Sequence, residues 1–211
     1  EVIMSLLAKA NVKVIIPTQI EKLCCGMPWQ SKGFADIAQK KQQEFLYSIS
    51  QATEQGKWPI ITDASPCALT LNEVDKEKNI GQKVYEVTEF IAKYVLSYLQ
   101  ITKTVESFML HITCSSQKMD GGLYLRQVAD ACSENITVPS NISCCGFAGD
   151  KGFYLPELNK SALMPLKAQI PKSCQRGLSN SRPCEIGLSE HSAISYQSVL
   201  YLLDQVSEPQ G

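Results

Sequence analysis

The sequence predicts an α/β protein made of two pseudo-symmetric, Rossmann-like lobes with parallel sheets. Short β-branched or apolar runs alternate along the chain with longer amphipathic stretches, an order typical of βαβ units around a parallel sheet. A Cys-Cys-Gly motif occurs twice, at Cys24 and at Cys144, and indicates an internal tandem repeat. The 211 residues are enough to bury a sizeable hydrophobic core.

The first half of the chain begins with apolar residues at helical spacing, which predict a helix over residues 2–10. The β-branched run Val12–Ile16 predicts a short buried strand that Pro17 ends. The other elements predicted for this half are a helix over 35–55 that Gly56 stops, a strand over Pro59–Thr62, a helix that opens at Cys67–Leu71, a strand over Lys83–Val87 and a helix through 90–98.

The second half repeats this order after a strand predicted over Val105–Ile112, which leads to Cys114. The other elements predicted for it are a helix near 121–133, a strand over 135–139 and helices near 158–170, 184–190 and 195–205. In both halves the paired cysteines therefore fall in a loop that directly follows a predicted strand.

The repeat keeps nearly the same spacing from one landmark to the next. The motif at Cys24 recurs at Cys144, and Cys67, which follows a proline, recurs as Cys184. Cys114 has no counterpart in the first copy, because the equivalent position would precede Glu1. We therefore expect the chain to be a fragment of a longer protein, cut inside the first copy. The predicted modules are residues 1–103 and residues 104–211.

The composition excludes several classes of protein. With 20 basic and 21 acidic residues the net charge is −1, so we expect no nucleic-acid partner. No apolar stretch has the length of a membrane-spanning helix, and no basic segment followed by an apolar run marks a signal peptide. Nine cysteines, an odd number with two adjacent pairs, argue against a disulfide framework and favour metal or redox chemistry.

The cysteines of the repeat stand where ligand sites of open α/β sheets occur, at the carboxyl ends of strands. Gly26 and Gly146 allow the turn that brings two adjacent thiols together. Cys67 and Cys184 each follow a proline in the first turn of a predicted helix, where the helix N-terminus favours a thiolate. The predicted metal ligands are Cys24, Cys25 and Cys67 in the first module and Cys114, Cys144, Cys145 and Cys184 in the second.

Four thiolates suit either an iron–sulfur cluster or a zinc ion. Structural zinc sites favour ligand pairs two to four residues apart, and the chain has no C-x₂-C spacing, so an iron–sulfur cluster is favoured over zinc. Cys132, inside a predicted helix, and Cys174, which has no counterpart in the first module, are predicted to be small buried hydrophobic residues.

Four further residues of the second module are predicted to contact the cofactor. His111, at a strand end shortly before Cys114, could bind the metal or form a hydrogen bond to a cluster or substrate, and a structural histidine is the alternative. Lys151, beside the cysteine pair, could offset the charge of several thiolates. Gly146 and Gly149 allow backbone N–H groups to approach a sulfur or an anionic group.

The doubled Cys-Cys-Gly pattern, with an upstream cysteine and a downstream Pro-Cys, resembles the cysteine-rich CCG domain. That domain occurs in heterodisulfide reductase and in iron–sulfur subunits of glycolate, glycerol-3-phosphate and lactate oxidation systems. The stretches Cys144–Phe153 and Ser179–Ser189 are similar to a narrower group, the C-terminal ends of large FAD-binding D-lactate and D-2-hydroxyglutarate dehydrogenases. Ala64 and Ser181 stand where heterodisulfide reductase has the first cysteine of C-x-x-C, so disulfide-cleaving chemistry is not expected.

The resemblance implies the C-terminal module of a flavin- and iron–sulfur-dependent oxidoreductase that oxidises a D-2-hydroxy acid and is not active alone. It implies a 4Fe-4S cluster here and FAD in an N-terminal region that this segment lacks. The implied partners are the protein's own N-terminal flavin domain and a quinone or cytochrome electron acceptor, and a homo-oligomer is allowed. The implied location is the cytoplasm, including the inner face of the membrane.

Two other functions stay open at this point. One is a non-catalytic structural or docking module whose cysteines bind zinc or no metal. The other is a component of a lactate-utilisation or heterodisulfide-reductase-like complex.

Overall fold

The computed structural model describes residues 1–78, 81, 83–119 and 121–210, and these form a mixed α/β protein with parallel sheets, as predicted. Backbone contacts divide the chain into two compact units. The large unit comprises Glu1–Val12 and Thr88–Gly211, and the small unit comprises Lys13–Val87.

The elements of both units are numbered here in chain order. The strands are β1 (Ile60–Thr62), β2 (Val84–Glu86), β3 (Leu99–Ile101), β4 (Thr104–Leu110), β5 (Ser133–Thr137), β6 (Cys174–Ser179), β7 (Ser195–Ser198) and β8 (Ser207–Pro209). The α-helices are α1 (Val2–Lys9), α2 (Met27–Gln30), α3 (Ala35–Ala52), α4 (Ser65–Lys78), α5 (Val87–Tyr94), α6 (Cys114–Lys118), α7 (Gly121–Cys132), α8 (Pro156–Leu163), α9 (Arg182–Ser192) and α10 (Val199–Val206). Short 3-10 helices lie at Ile20–Lys22, Leu96–Tyr98, Lys151–Phe153 and Lys167–Gln169.

The main sheet of the large unit has four strands in the order β5-β4-β6-β7, and all of its neighbours pair in parallel. Phe108, Met109 and Leu110 of β4 are completely buried, because a central parallel strand is covered on both faces. The chain leaves β4 toward β5 on one side and later adds β6 on the other side. The order therefore reverses between β4 and β6, and open α/β sheets bind ligands at such a switch point.

The N-terminal helix α1 packs on α10, which also packs against α7. Ser5 Oγ donates a hydrogen bond to Asp204 Oδ1 at 2.7 Å, and Lys9 Nζ lies 2.8 Å from the same carboxylate oxygen. β3 and β8 pair antiparallel. Polar contacts with α10 therefore hold the first residues of the chain within the large unit.

The small unit is built on a parallel pair of strands, β1 and β2, with Ile60 opposite Val84. Helix α4 lies between these strands in the chain and packs against both. Helix α3 buries Phe45 and Ile49, while Ile37 is 41% exposed. The small unit thus has the β-α-β order that the alternating pattern of the sequence predicts.

The predicted buried strand over Val12–Ile16 is wrong. These residues belong to no strand, and the side chains of Ile15 and Ile16 are 52% and 63% exposed. A β-branched run indicates that a segment fits a half-buried pleated surface, but a strand also needs a neighbour with which to pair. Among the described residues no segment pairs with this one.

Other elements differ from the prediction in extent. The helix predicted through 90–98 ends at Tyr94, and the helix predicted over 158–170 ends at Leu163, just before Pro165, which disfavours a continued helix. Residues 195–198, predicted as the start of a helix, form β7. β6 lies outside the predicted strands. Within the described part of the chain, no helix has the length and apolar character needed to cross a membrane.

Candidate metal centre

The switch point between β4 and β6 lies at the carboxyl ends of two strands, and each of them leads to a predicted cysteine ligand. After β4 the hydroxyl of Thr113 accepts a hydrogen bond from the Ser116 N–H at 3.3 Å, which caps helix α6 and sets Cys114 as its first residue. After β6, Pro183 lies in the first turn of α9 and is followed by Cys184. The strand pairing therefore fixes the two helix starts that carry these thiols.

The loop after β5 supplies the other two cysteines of the large unit through a tight turn at Gly146. This glycine has φ +72°, and a Cβ atom there would lie 2.5 Å from the Leu158 carbonyl oxygen and 2.8 Å from Ala162 Cβ. Only glycine fits both the conformation and the close approach to α8. The Gly146 N–H donates to Cys144 Sγ at 3.3 Å, so the turn also provides a hydrogen bond to a thiol.

The four predicted sulfur ligands of the large unit contact one another in series. Cys145 Sγ and Cys184 Sγ are 2.7 Å apart, and both side chains are buried in an apolar cluster that includes Phe147. Cys144 forms hydrogen bonds with Cys114 and with Cys145, and Cys114 and Cys144 are exposed. All four are free thiols, so the series runs from the core to the surface without a disulfide.

These contacts shift the pKa values of Cys114, Cys144 and Cys145, and not all in the same direction. Hydrogen bonding with Cys114, and then with Cys145, holds the pKa of Cys144 well below its usual range. The same bond to Cys144 raises the pKa of Cys114. Hydrogen bonds to Cys144 and then to Cys184 raise the pKa of Cys145. At neutral pH Cys144 is therefore a thiolate that accepts a hydrogen bond from the Cys114 thiol.

His111, predicted to contact the cofactor, lies directly after β4 and is 1% exposed. Its Nδ1 atom is 3.3 Å from Ser179 Oγ at the end of β6. Burial lowers the pKa of His111 to about 4, while the charge of Cys144 acts in the opposite direction. The imidazole is thus neutral at neutral pH and lies within electrostatic range of the thiolate.

Three buried polar residues at this site escaped the sequence analysis. Asn159 of α8 is completely buried and donates to the Cys145 carbonyl oxygen at 2.7 Å. Asn180, directly after β6, donates to Ser116 Oγ at 2.7 Å. Glu185 is buried beside Cys184, and burial raises its pKa against the effect of its ion pair with Arg182. From the sequence, only Asn180 and Glu185 could have been connected with the site, because they lie close to the Pro-Cys motif.

Gly149 and Lys151 lie on the outer side of the same loop. Gly149 has φ +77° with open space where a Cβ atom would be, and the Lys151 side chain is exposed. Lys151 is the first residue of a 3-10 helix that ends at Phe153. The Phe153 ring lies edge-on to the Phe147 ring, with 4.8 Å between the ring centroids. A direct role of Gly149 and Lys151 in cofactor binding stays a prediction.

The small unit contains the other three predicted ligands. Cys25 Sγ and Cys67 Sγ are 3.3 Å apart, and the Gly26 N–H donates to Cys24 Sγ at 3.4 Å. Gly26 has φ +85°, and a Cβ atom there would lie 2.6 Å from the Ala38 carbonyl oxygen. The hydrogen bond with Cys67 lowers the pKa of Cys25 to about 6 and raises that of Cys67. The structure thus brings these three thiols together as well.

The two cysteines predicted to be structural are buried, as predicted. Cys132 is 0% exposed at the end of α7, and its thiol donates to the Val128 carbonyl oxygen at 3.2 Å. Cys174 is 5% exposed, and its thiol donates to the Arg176 carbonyl oxygen at 3.2 Å. Both thiols are thus occupied by local backbone acceptors.

The described residues include no group of three or more His, Cys, Asp or Glu side chains that could hold a metal ion in the present arrangement. The site instead offers thiols in pairwise contact, one thiolate and a neutral imidazole. Soft sulfur donors of this kind suit zinc or an iron–sulfur cluster, and such thiols can also undergo redox chemistry.

Comparison with known proteins finds similarity to a subunit of a glycerol-3-phosphate dehydrogenase and to lactate utilization proteins. The chain is 29% identical over 161 residues to one of the subunits of the anaerobic glycerol-3-phosphate dehydrogenase of Escherichia coli (strain K12), and the match covers 71% of this chain and 40% of that relative. It is 20% identical over 152 residues to lactate utilization protein A 1 of Bacillus mycoides (strain KBAB4), with 65% and 60% covered. It is 24% identical over 154 residues to lactate utilization protein A of Bacillus subtilis (strain 168), with 66% and 62% covered.

The chain thus spans less than two thirds of the length of each of these relatives. Their names are those of glycerol-3-phosphate and lactate systems, and they do not bear out the narrower resemblance to FAD-binding D-lactate or D-2-hydroxyglutarate dehydrogenases. A family model, the cysteine-rich domain CCG, matches residues 1–72, the stretch that holds Cys24, Cys25 and Cys67. The resemblance to the CCG domain is therefore confirmed for residues 1–72.

Proposed function

We propose that the chain is an electron-transfer module that binds an iron–sulfur cluster of the 4Fe-4S type through Cys114, Cys144, Cys145 and Cys184. The observation that carries the proposal is the serial contact of these four thiols at the switch point of a parallel sheet. The similarity to part of a dehydrogenase and to lactate utilization proteins supports a role in an oxidoreductase system.

The donor set fits such a cluster in its chemistry. Four cysteine sulfurs are the usual ligands of a 4Fe-4S cluster, and a thiolate is the form that binds iron. Cys144 is already a thiolate at neutral pH, with the Gly146 N–H as a hydrogen-bond donor. Cys145 and Cys184 share a thiol–thiol hydrogen bond, which metal binding would replace with sulfur–iron bonds. The cluster would supply a one-electron carrier beside the surface.

A tandem repeat with modules 1–103 and 104–211 is part of the proposal. Three matching features support it. In each half a parallel strand pair encloses a helix with Pro-Cys in its first turn, as β1-α4-β2 and β6-α9-β7. In each half the second cysteine of the adjacent pair touches the cysteine of that helix. In each half a glycine with positive φ donates its N–H to the first cysteine of the pair. Cys24, Cys25 and Cys67 then form a second ligand set with one sulfur fewer.

The proposed reaction is the oxidation of a D-2-hydroxy acid, D-lactate or D-2-hydroxyglutarate, by a flavin domain in the parent protein. Such a flavin would supply the hydride acceptor, and this module would pass electrons toward a quinone or cytochrome acceptor. The isolated chain should therefore show no turnover of any hydroxy acid. Measured turnover by the purified chain would contradict this division of roles.

The cluster is tested by anaerobic reconstitution of the chain with iron and sulfide, followed by analysis of iron, sulfide and zinc and by visible absorption. Cys144→Ser and Cys184→Ser each remove a proposed ligand and should lose most of the iron and sulfide. Cys132→Ala and Cys174→Ala change the same residue type outside the proposed site and should retain both. Binding of zinc alone, or equal metal loss in all four variants, would overturn the proposal.

A further inference from the structure

His111 has one ring nitrogen that finds no hydrogen-bond partner in the described part of the chain. The side chain is 1% exposed, and Nε2 has no hydrogen-bond partner among the described residues. A buried polar atom that lacks a partner costs roughly 1–3 kcal/mol, a cost that a bound metal could offset where one is held nearby. His111 follows β4 directly and lies in the segment that leads to Cys114.

The hydrogen bonds of Ser179 fix which nitrogen of His111 carries the proton. Ser179 Oγ lies 3.3 Å from the His111 carbonyl oxygen, to which it donates, and 3.3 Å from His111 Nδ1. A hydroxyl group has a single hydrogen, so the hydrogen between Ser179 and the ring comes from Nδ1–H. Nε2 is then unprotonated, with its lone pair directed away from Ser179.

This arrangement is the one in which histidine binds a metal. Metal-bound imidazole coordinates through one bare nitrogen while the other nitrogen donates its N–H to an oxygen that orients the ring. Ser179 is that oxygen here. The charge of Cys144, a member of the proposed ligand set, acts on the His111 imidazole.

We propose that His111 Nε2 binds iron directly at the site of Cys114, Cys144, Cys145 and Cys184, where it takes the place of one of the four sulfurs. This inference rests on the proposed function, because it needs a metal at that site. A cubane cluster takes four protein ligands, so nitrogen ligation leaves one of the four cysteines unbound.

The chain has only two histidines, which makes the test unambiguous. His191, near the end of α9, also has an Nε2 atom without a partner among the described residues and serves as the matched control. The chain is produced with ¹⁵N-histidine, reconstituted anaerobically with iron and sulfide and reduced with dithionite. Pulsed electron paramagnetic resonance then measures nitrogen hyperfine coupling to the cluster, in the wild type, His111→Gln and His191→Gln.

The expected result is a coupling that changes with the histidine isotope, persists in His191→Gln and is absent from His111→Gln. The His191→Gln chain contains His111 as its one histidine, so the assignment holds even where His111→Gln does not fold. If the chain binds iron and sulfide but shows no histidine coupling, this inference is overturned while the proposed function stands. The same holds if the coupling is lost in His191→Gln. Failure of the wild type to bind iron overturns the proposed function and the inference together.

Discussion

Replacing Gly146 with alanine should destabilise the loop that carries the cysteine pair, and Gly149→Ala provides the matched control. Both glycines have positive φ, +72° and +77°, so a Cβ atom at either position adds a left-handed penalty of roughly 1–2 kcal/mol. At Gly149 nothing lies within 4 Å of the new Cβ atom. At Gly146 the new atom would lie 2.5 Å from the Leu158 carbonyl oxygen, which belongs to the backbone of α8 and cannot rotate away.

That steric conflict should add about 1–3 kcal/mol, typical of forced overpacking. The expected loss of unfolding free energy is then about 2–5 kcal/mol for Gly146→Ala and about 1–2 kcal/mol for Gly149→Ala. Urea unfolding followed by circular dichroism, on the metal-free chain with equal m-values, measures the difference. Equal losses in the two variants would show that the loop does not lie against α8 as described.

Three further predictions concern the thiols and their neighbours. The thiolate fraction of Cys144 should stay nearly constant as the pH falls from about 7.5 to 5.5, because its pKa lies below that range. The thiolate fraction of an ordinary cysteine falls about 100-fold over the same range. Iodoacetamide labelling of the metal-free chain, followed by peptide mass spectrometry, measures this, and a 100-fold change in rate at Cys144 would contradict it. Asn159→Leu removes the bond to the Cys145 carbonyl oxygen and should lower the unfolding free energy by about 1–3 kcal/mol in urea titrations, so a neutral effect would refute that contribution. Cys132→Ala leaves a small cavity and should lower the unfolding free energy by about 1 kcal/mol in urea titrations. The iodoacetamide labelling rates of the other cysteines should not change.

The alternation of apolar strands and amphipathic helices was enough to predict the fold class, because its signal depends on residues close together in sequence. β4 is an example, since Phe108, Met109 and Leu110 form a continuous apolar run that only a strand covered on both faces accommodates. The cysteine contacts were predictable for a related reason. The Cys-Cys-Gly turn and the Pro-Cys helix start are local motifs, and the sheet brings their ends together.

Features that depend on a partner distant in the sequence were not predictable. β6 contains Gln175, Arg176 and Gly177, which show no strand pattern, and it exists because β4 and β7 pair with it on both sides. Gly177 is needed there because a Cβ atom would lie 2.4 Å from the Tyr196 ring. The run Val12–Ile16 illustrates the opposite case, since it has the pattern of a strand and no neighbour among the described residues.

The difference in burial along the thiol series has a consequence for the proposed cluster. Cys145 and Cys184 are held by the apolar core around Phe147, and their positions cannot adjust without disturbing that core. Cys114 and Cys144 are exposed on loop and helix-start positions, where the backbone moves at lower free energy. Any rearrangement that lets thiols now in contact separate to bind iron should therefore occur at Cys114 and Cys144. Metal binding should slow amide hydrogen exchange at these two residues more than at the buried pair, and stronger protection at Cys145 and Cys184 would show that the core moves instead.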